Sequence, residues 1–210
     1  LAETPQNLST TANGGMSPEL HRRGTLILVV GPSGAGKDTL IEAARQHFRG
    51  DARVQFPLRV ITRGGQAGER HIALSERDFL ECEKQGCFCL SWRAHGLFYG
   101  VPAETLDVLT AGGSIVVNVS RGMITKARAM WLHTRVAHVT ASPQVLWSRL
   151  IARGRETGLQ AMERLCRAEA AHGGVPDAPW VDEIDNSGDL AAAAKRFTGL
   201  IAKYAAPPHS

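Results

Sequence analysis

The chain has 210 residues, 43% of them hydrophobic and 21% charged, enough for one α/β domain with a full core and too short for two large ones. That balance excludes collagen, a coiled coil and a chain disordered throughout, and no apolar run approaches the roughly 20 residues of a membrane helix. The net charge of +4 at pH 7 fits an anionic partner: nucleic acid, an acidic membrane surface or a phosphorylated small molecule.

Residues 1–23 are rich in Thr, Asn, Gly, Pro and Ser without a sustained apolar period, so a disordered tail is expected there and one domain over residues 24–210. The tail lacks the apolar h-region of a secretory signal. Met16 is the expected natural start, with residues 1–15 non-native or an upstream extension; N-terminal sequencing of the native protein checks this.

Beyond the tail, strand and helix signals alternate. Thr25–Val30 is an apolar run ending in glycine, expected as a buried parallel strand, and Lys37–Phe48 carries helical spacing. Phe56–Ile61 reads as a second strand. Ser75-Glu76-Arg77-Asp78 has capping-box form and opens a helix to about Lys84. Phe88–Trp92 and Leu97–Tyr99 read as short strands around a His95-Gly96 turn, and Pro102 suits the first turn of a helix to about Ala111. Next come a buried strand at Ser114–Val119, a helix at Arg121–Trp131 and a strand at Thr134–Val139. Ser142-Pro143 caps and opens the next helix, Val181–Ile184 is the last strand, and Asp189 caps the Ala-rich terminal helix. This alternation predicts a parallel sheet with helices on both faces. The cysteines at 82, 87, 89 and 166 do not have zinc-ribbon spacing and read as reduced cytosolic thiols.

One segment carries specific chemistry. Gly31-Pro32-Ser33-Gly34-Ala35-Gly36-Lys37-Asp38-Thr39 follows a strand and opens a helix, which is G-x4-G-K in the context that gives the motif meaning. Its glycines let successive N–H groups turn inward toward phosphate, the helix N-terminus adds positive charge, and Lys37 reaches the β and γ phosphates of a nucleotide. The position after the lysine is normally Ser or Thr, whose hydroxyl joins the Mg²⁺ shell; here it is Asp38. A carboxylate is also a hard oxygen ligand, so Asp38 is a candidate Mg²⁺ ligand, with helix capping as its alternative and Thr39 as a substitute hydroxyl.

Gly31–Thr39, Thr62-Arg63, Gly68-Glu69, Phe98-Tyr99-Gly100 and the Arg-rich stretch Arg149 to Glu156 resemble guanylate kinase, in that order and at similar spacing, over about residues 25–202. The resemblance implies an α/β, P-loop nucleoside-monophosphate-kinase-like three-layer fold: a five-stranded parallel core sheet, a small acceptor-binding insertion over about 56–101 and an Arg-rich lid over about 149–170. Departures bear on the substrate. Guanylate kinase reads guanine with a carboxylate nine residues before this Tyr, where the chain has Leu90, and with acids at a strand end that here reads Val116-Val117-Asn118-Val119-Ser120-Arg121. A Ser after the Tyr-Gly pair is Val101, and a second phosphate-gripping Arg is Gln66. Guanine's polar edge would therefore go unpaired, which discriminates strongly against it.

The altered segments match a second family more closely. Gly36-Lys37-Asp38, Leu90-Ser91-Trp92-x-Ala94-His95-Gly96, Val117-Asn118-Val119-Ser120-Arg121, Arg153-Gly154-Arg155-Glu156 and Ile184-Asp185-Asn186-Ser187-Gly188 resemble the ribose 1,5-bisphosphate phosphokinases of phosphonate utilisation. That resemblance implies transfer from ATP, with Mg²⁺, to the C1 phosphate of ribose 1,5-bisphosphate, giving 5-phosphoribosyl 1-diphosphate. Arg63 matches the acceptor-phosphate arginine, and Arg59 shares its side-chain parity on the same strand. Tyr99 and His95 are candidates to contact the acceptor, each with a packing or turn role as its alternative. Arg121 is a candidate for the second substrate phosphate, and Asn118 for orienting substrate or Mg²⁺-bound water in place of the missing acid. Arg149, Arg153 and Arg155 match the lid and would close on the transferring phosphoryl group. Asn186 falls where the template touches adenine. Trp131, Trp147 and Trp180 read as packing residues.

Two other readings stand beside this one: a guanylate-type nucleoside-monophosphate kinase, and a non-catalytic interaction module of the same fold. No basic stripe interleaved with aromatics marks a nucleic-acid surface, and no membrane partner is expected. A cytoplasmic enzyme is expected, and a homodimer is compatible with the sequence.

Overall fold

A computed structural model describes residues 24–63, 70–152 and 174–205. The expected tail, the segment holding Gln66, Gly68 and Glu69, and most of the expected lid, with Arg153, Arg155 and Cys166, lie outside the described residues.

Strand β1 (Thr25–Val30) is the middle of a five-stranded parallel sheet. On one side it pairs with β7 (Ser114–Asn118), which pairs with the short edge strand β2 (Val54–Gln55). On the other it pairs with β8 (Thr134–Thr140), and β8 with β9 (Val181–Asp185). Alternation along β1 sends side chains to opposite faces. Ile27 and Val29 join a core with Leu40 and Ala44 of α1 (Lys37–His47) and Phe197 and Ile201 of α6 (Leu190–Ala205). Leu26, Leu28 and Val30 join a second core with Leu109 of α3 (Thr105–Thr110), and with Ile124 and Ala127 of α4 (Met123–Met130). Both faces of the sheet are therefore buried, as continuous Val/Ile/Leu runs require.

A second, four-stranded sheet has the order β4-β3-β6-β5. Strands β5 (Phe88–Ala94) and β6 (Leu97–Pro102) form an antiparallel hairpin, β3 (Arg59–Ile61) pairs antiparallel with β6, and β4 (His71–Ala73) pairs parallel with β3. The hairpin turn is His95-Gly96, both with positive φ (52° and 76°). That is the left-handed pair a two-residue hairpin requires, and His is among the few side chains that tolerate it. Helix α2 (Glu76–Lys84) backs this sheet, its Phe79 ring stacked on Phe88 at 4.6 Å and tilted on Phe98 at 5.5 Å. Ser75 caps α2 as its sequence foretells, accepting from Asp78 N–H at 3.1 Å. Gly100 is glycine because a Cβ there would stand 2.6 Å from the Phe88 ring.

Three sequence expectations are corrected. The strand expected at Phe56–Ile61 is shorter, Arg59–Ile61, and a separate strand of the other sheet, Val54–Gln55, precedes it; Pro57, without an N–H for a ladder, lies between them. Pro102 closes β6 rather than opening a helix, and α3 starts at Thr105. Helix α4 starts at Met123 rather than Arg121, and the two residues before it form a turn. Strand β4 carries no periodic apolar signal, and its Ile72 is largely exposed; backbone pairing with β3 forms it. Asp189 caps α6 through the N–H groups of Ala191 and Ala192. Cys82, Cys87 and Cys89 are free thiols, and burial pushes the Cys89 thiol up to about 11.

Candidate active site

Parallel strands deliver their carboxyl ends to one edge of the sheet, and the ligand crevice of such folds lies beyond it. Here that edge holds the loop after β1, Asn118 at the end of β7, Ser142 after β8 and Asn186 after β9. Helix α5 (Pro143–Ala152) leaves from the same edge, with Ser142 as its cap.

The loop from Gly31 to Gly36 has the backbone the motif predicts. Gly31, Gly34 and Gly36 take φ of 146°, 88° and 88°, values that L side chains rarely adopt. A Cβ on Gly31 would overlap the Val139 carbonyl, and one on Gly36 would overlap the Asn186 amide, so the loop is pressed against β8 and the β9 end. Ala35 is fully buried beneath it. Lys37 Nζ donates to the carbonyls of Gly31 and Pro32, each at 2.9 Å, so the ammonium closes over the loop. Pro32, Ser33 and Thr39 complete the run.

Asn186 braces the loop from behind. Its side chain is 1% exposed, and its Nδ2 donates to the Ala35 carbonyl at 2.7 Å. Arg149, in the last turn of α5, donates to the Asn186 carbonyl at 3.0 Å and more loosely to those of Gly34 and Ala35 at 3.4 and 3.5 Å. The Asn186 amide nitrogen is thus spent on the phosphate loop, while its Oδ1 has no hydrogen-bond partner among the described residues.

On the acceptor side, Asp38 opens α1 and faces Asn118, whose Nδ2 donates to Asp38 Oδ1 at 2.8 Å. The Arg59 guanidinium stands 4.0 Å from the same oxygen and 5.9 Å from the centre of the Tyr99 ring. Tyr99 in turn stacks on Trp92, 5.3 Å between centroids and 7° from parallel. Cross-strand register explains this grouping: Trp92 lies opposite Tyr99, and Tyr99 opposite Ile61, so Arg59, Ile61, Tyr99 and Trp92 share the front face of the second sheet. Burial pushes Arg59 down from its ordinary pKa, Asp38 and Tyr99 oppose that, and the like charge of Arg63 adds to it. A guanidinium remains protonated through such shifts, so Arg59 is a buried cation next to a second one. Burial also lowers Arg121, which follows β7. His95 sits apart: it is exposed at the hairpin tip and joins none of these contacts.

Leu90 and Val101 occupy the two acceptor-wall positions where polar groups would read guanine. Both are 1% exposed and packed into the core with Val119 and Met123. Hydrocarbon thus fills both positions that the resemblance to guanylate kinase assigns to base-reading groups. Trp92 joins this face through the two-residue turn at His95-Gly96, which sets it opposite Tyr99.

The residues present suit a nucleotide phosphate and a hard divalent cation. The loop offers turned-in backbone and an ammonium. Asp38 is about half exposed (49%), with one oxygen engaged by Asn118. No group of three or more His, Cys, Asp or Glu ligands occurs among the described residues, so a cation here would complete its shell with phosphate oxygens and water, as Mg²⁺ commonly does.

Curated relatives decide the family. The chain is 44% identical over 188 residues to the ribose 1,5-bisphosphate phosphokinase PhnN of Rhizobium etli, covering 89% of this chain and 94% of that protein. It belongs to the ribose 1,5-bisphosphate phosphokinase family. The phosphokinase of Brucella melitensis is 44% identical over 83% of the chain and 90% of its own length, and that of Rhodopseudomonas palustris 42% over 85% and 88%. No family model matches the chain. Among solved structures, guanylate kinase from Anaplasma phagocytophilum superposes with a TM-score of 0.64 at 20% identity, covering 87% of each chain. The likeness shows the guanylate-kinase-like P-loop fold, and family membership makes the phosphokinase a phosphotransferase.

Proposed function

We propose that the chain transfers the γ-phosphoryl group of ATP to the C1 phosphate of ribose 1,5-bisphosphate, releasing ADP and 5-phosphoribosyl 1-diphosphate. The observation that carries this reading is the acceptor wall: buried Leu90 and Val101 replace base-reading groups, while Arg59 and Tyr99 stand over the crevice, with Arg63 beside them.

An oxygen of the C1 phosphate is the nucleophile. It attacks the γ phosphorus, a P–O bond forms, and the bond from γ phosphorus to the β–γ bridging oxygen breaks, its electron pair leaving with ADP. A phosphate oxygen is already ionised at neutral pH, so no general base is required, and no side chain of the site needs to accept a proton. Catalysis then rests on alignment and charge. Loop N–H groups and Lys37 hold the donor phosphates. Arg63 and Arg59 hold the attacking phosphate, Tyr99 lends a hydroxyl, and Arg121 meets the C5 phosphate. Asn118 fixes Asp38, which suits a Mg²⁺ ligand or a ligand to its water; the cation would neutralise charge on the donor phosphates. Asn186 acts on the nucleotide through the loop it braces. Arg149 ties that loop to α5, which runs into the segment holding Arg153 and Arg155. Those two arginines close on the transferring phosphoryl group. His95, at the exposed hairpin tip, is the candidate for a ribose hydroxyl or phosphate, with shaping the turn as its alternative. The reaction belongs to the cytoplasm, where ATP is kept.

Arg153→Ala is expected to lower kcat by about 10²–10³-fold, as removal of one charge-stabilising donor does, with the KM for ATP changed far less. Single-turnover rates at saturating ATP check it; an unchanged kcat removes the lid from catalysis. The reaction itself is tested by ³¹P NMR of purified protein with ATP, Mg²⁺ and ribose 1,5-bisphosphate. The C1 monophosphate resonance should be replaced by a coupled diphosphate pair, with the C5 phosphate untouched. Plain ATP hydrolysis with the sugar intact would overturn the proposal.

A further inference from the structure

Two buried donors on the acceptor side have nothing to donate to. Trp92 Nε1 and one Arg121 terminal nitrogen, Nη1, are both shut off from solvent and make no hydrogen bond among the described residues. An unmade bond at a buried donor is costly, and more so when the donor carries charge. Neither group has an internal remedy: an indole N–H and a guanidinium only donate.

The fold brings the elements that carry these two donors into contact. Trp92 packs against the cluster holding Val119, Met123 and Ile124, the residues that flank Arg121 in the chain. Strand β5, which carries Trp92, rests on α4, which begins just after Arg121. The other acceptor-side cations, Arg59 and Arg63, lie toward Asp38 and the phosphate loop. Arg121 follows β7 instead. Burial depresses the Arg121 guanidinium with no carboxylate opposing it. Stacking on Tyr99 fixes the indole plane, so its N–H is preoriented.

We propose that Trp92 Nε1–H and the Arg121 guanidinium together hold the non-reacting C5 phosphate of the acceptor, which makes Trp92 a specificity-determining residue for sugar bisphosphates. This rests on the acceptor assigned under Proposed function. The indole supplies a donor whose strength does not depend on pH, and Arg121 the charge. A phosphate held there would satisfy both groups, which have no hydrogen-bond partner among the described residues.

Trp92→Phe keeps a ring to stack on Tyr99 and removes only the N–H. Its acceptor KM should rise about tenfold, the size expected for a bond from a neutral donor to a charged oxygen, with kcat, ATP KM and the thermal midpoint close to wild type. An unchanged acceptor KM overturns the proposal. A second readout needs no variant: in ¹⁵N-tryptophan-labelled protein, the Trp92 indole cross-peak, assigned through bonds, is followed without ATP. It should move downfield with ribose 1,5-bisphosphate and with ribose 5-phosphate, and stay in place with ribose 1-phosphate. A peak that stays in place while ribose 1,5-bisphosphate saturates the protein overturns it, as does a response to ribose 1-phosphate alone. Turnover by wild type with wild-type KM in Trp92→Phe defeats only this inference, whereas no turnover by wild type defeats the acceptor reading beneath it.

Discussion

Lys37→Ala should reduce kcat by about 10²–10³-fold while the protein stays folded, the loss typical when a preorganised charge is withdrawn from a transferring group. Its ammonium is held at 2.9 Å by the Gly31 and Pro32 carbonyls, which stations it at the loop. Those carbonyls are weaker partners than phosphate oxygens, and exchange of the first for the second accompanies donor binding. These two partners are part-buried backbone carbonyls outside the hydrophobic cores, so the fold is expected to lose little. Lys37→Arg should fail almost as badly: a planar guanidinium cannot occupy the space of a compact ammonium inside a loop pressed against Val139 and Asn186. Turnover assays beside circular dichroism check both; activity within threefold of wild type in Lys37→Ala would refute the role given to the loop.

The second large effect falls on stability. Trp131→Ala should cost about 3–5 kcal/mol, in line with truncation of a fully buried aromatic. Trp131 follows α4, is entirely buried, and donates from Nε1 to the Gly24 carbonyl at 2.9 Å. It packs with Leu26, Leu28, Ile124 and Val136, so it joins β1, α4 and β8 in one core. Removing it empties that space and strands the carbonyl that leads into β1, the strand that ends at the phosphate loop. For a protein of this size each kcal/mol moves the thermal midpoint by roughly 2–4 °C, so a fall of about 6–20 °C is expected. Calorimetry reads it; a change of under 2 °C would mean the cavity collapses freely and Trp131 is not the anchor.

The parallel sheet was legible because β1, β7 and β8 are continuous apolar runs and because G-x4-G-K marks the turn from the first of them into a helix. Helix starts at Ser75, Ser142 and Asp189 were legible because their caps are chemical rather than statistical. Strands β2 and β4 were not, since each has two or three residues and is formed by backbone pairing to a neighbouring strand. Lys37, Arg59, Arg63, Tyr99, Asn118 and Asp38 were expected together from motif, parity and family resemblance, and the structure links Asp38 to Asn118 and Arg59, and Arg59 to Tyr99 and Arg63. The side on which Asn186 faces was not legible, because an Asn after a strand end can point to ligand or to loop, and only the loop's closeness decides. The stack of Trp92 on Tyr99 escaped because a tryptophan in a strand resembles core until its partner across the hairpin is known. The basic balance of the chain is likewise sharpened: Arg59, Arg63 and Arg121 are set back from the surface, which makes them poor contacts for a nucleic-acid backbone and suits them to small phosphates that enter a crevice.

The central claim is that the acceptor is a sugar bisphosphate and not a nucleotide. It is tested most directly by kcat/KM for ribose 1,5-bisphosphate and for GMP, measured on the same protein with ATP and Mg²⁺. With Leu90 and Val101 filling the positions of base-reading groups, the account predicts a preference of at least about 10⁴-fold for the sugar bisphosphate, the scale of discrimination when buried polar groups go unpaired. Equal use of the two, or a preference for GMP, would contradict it.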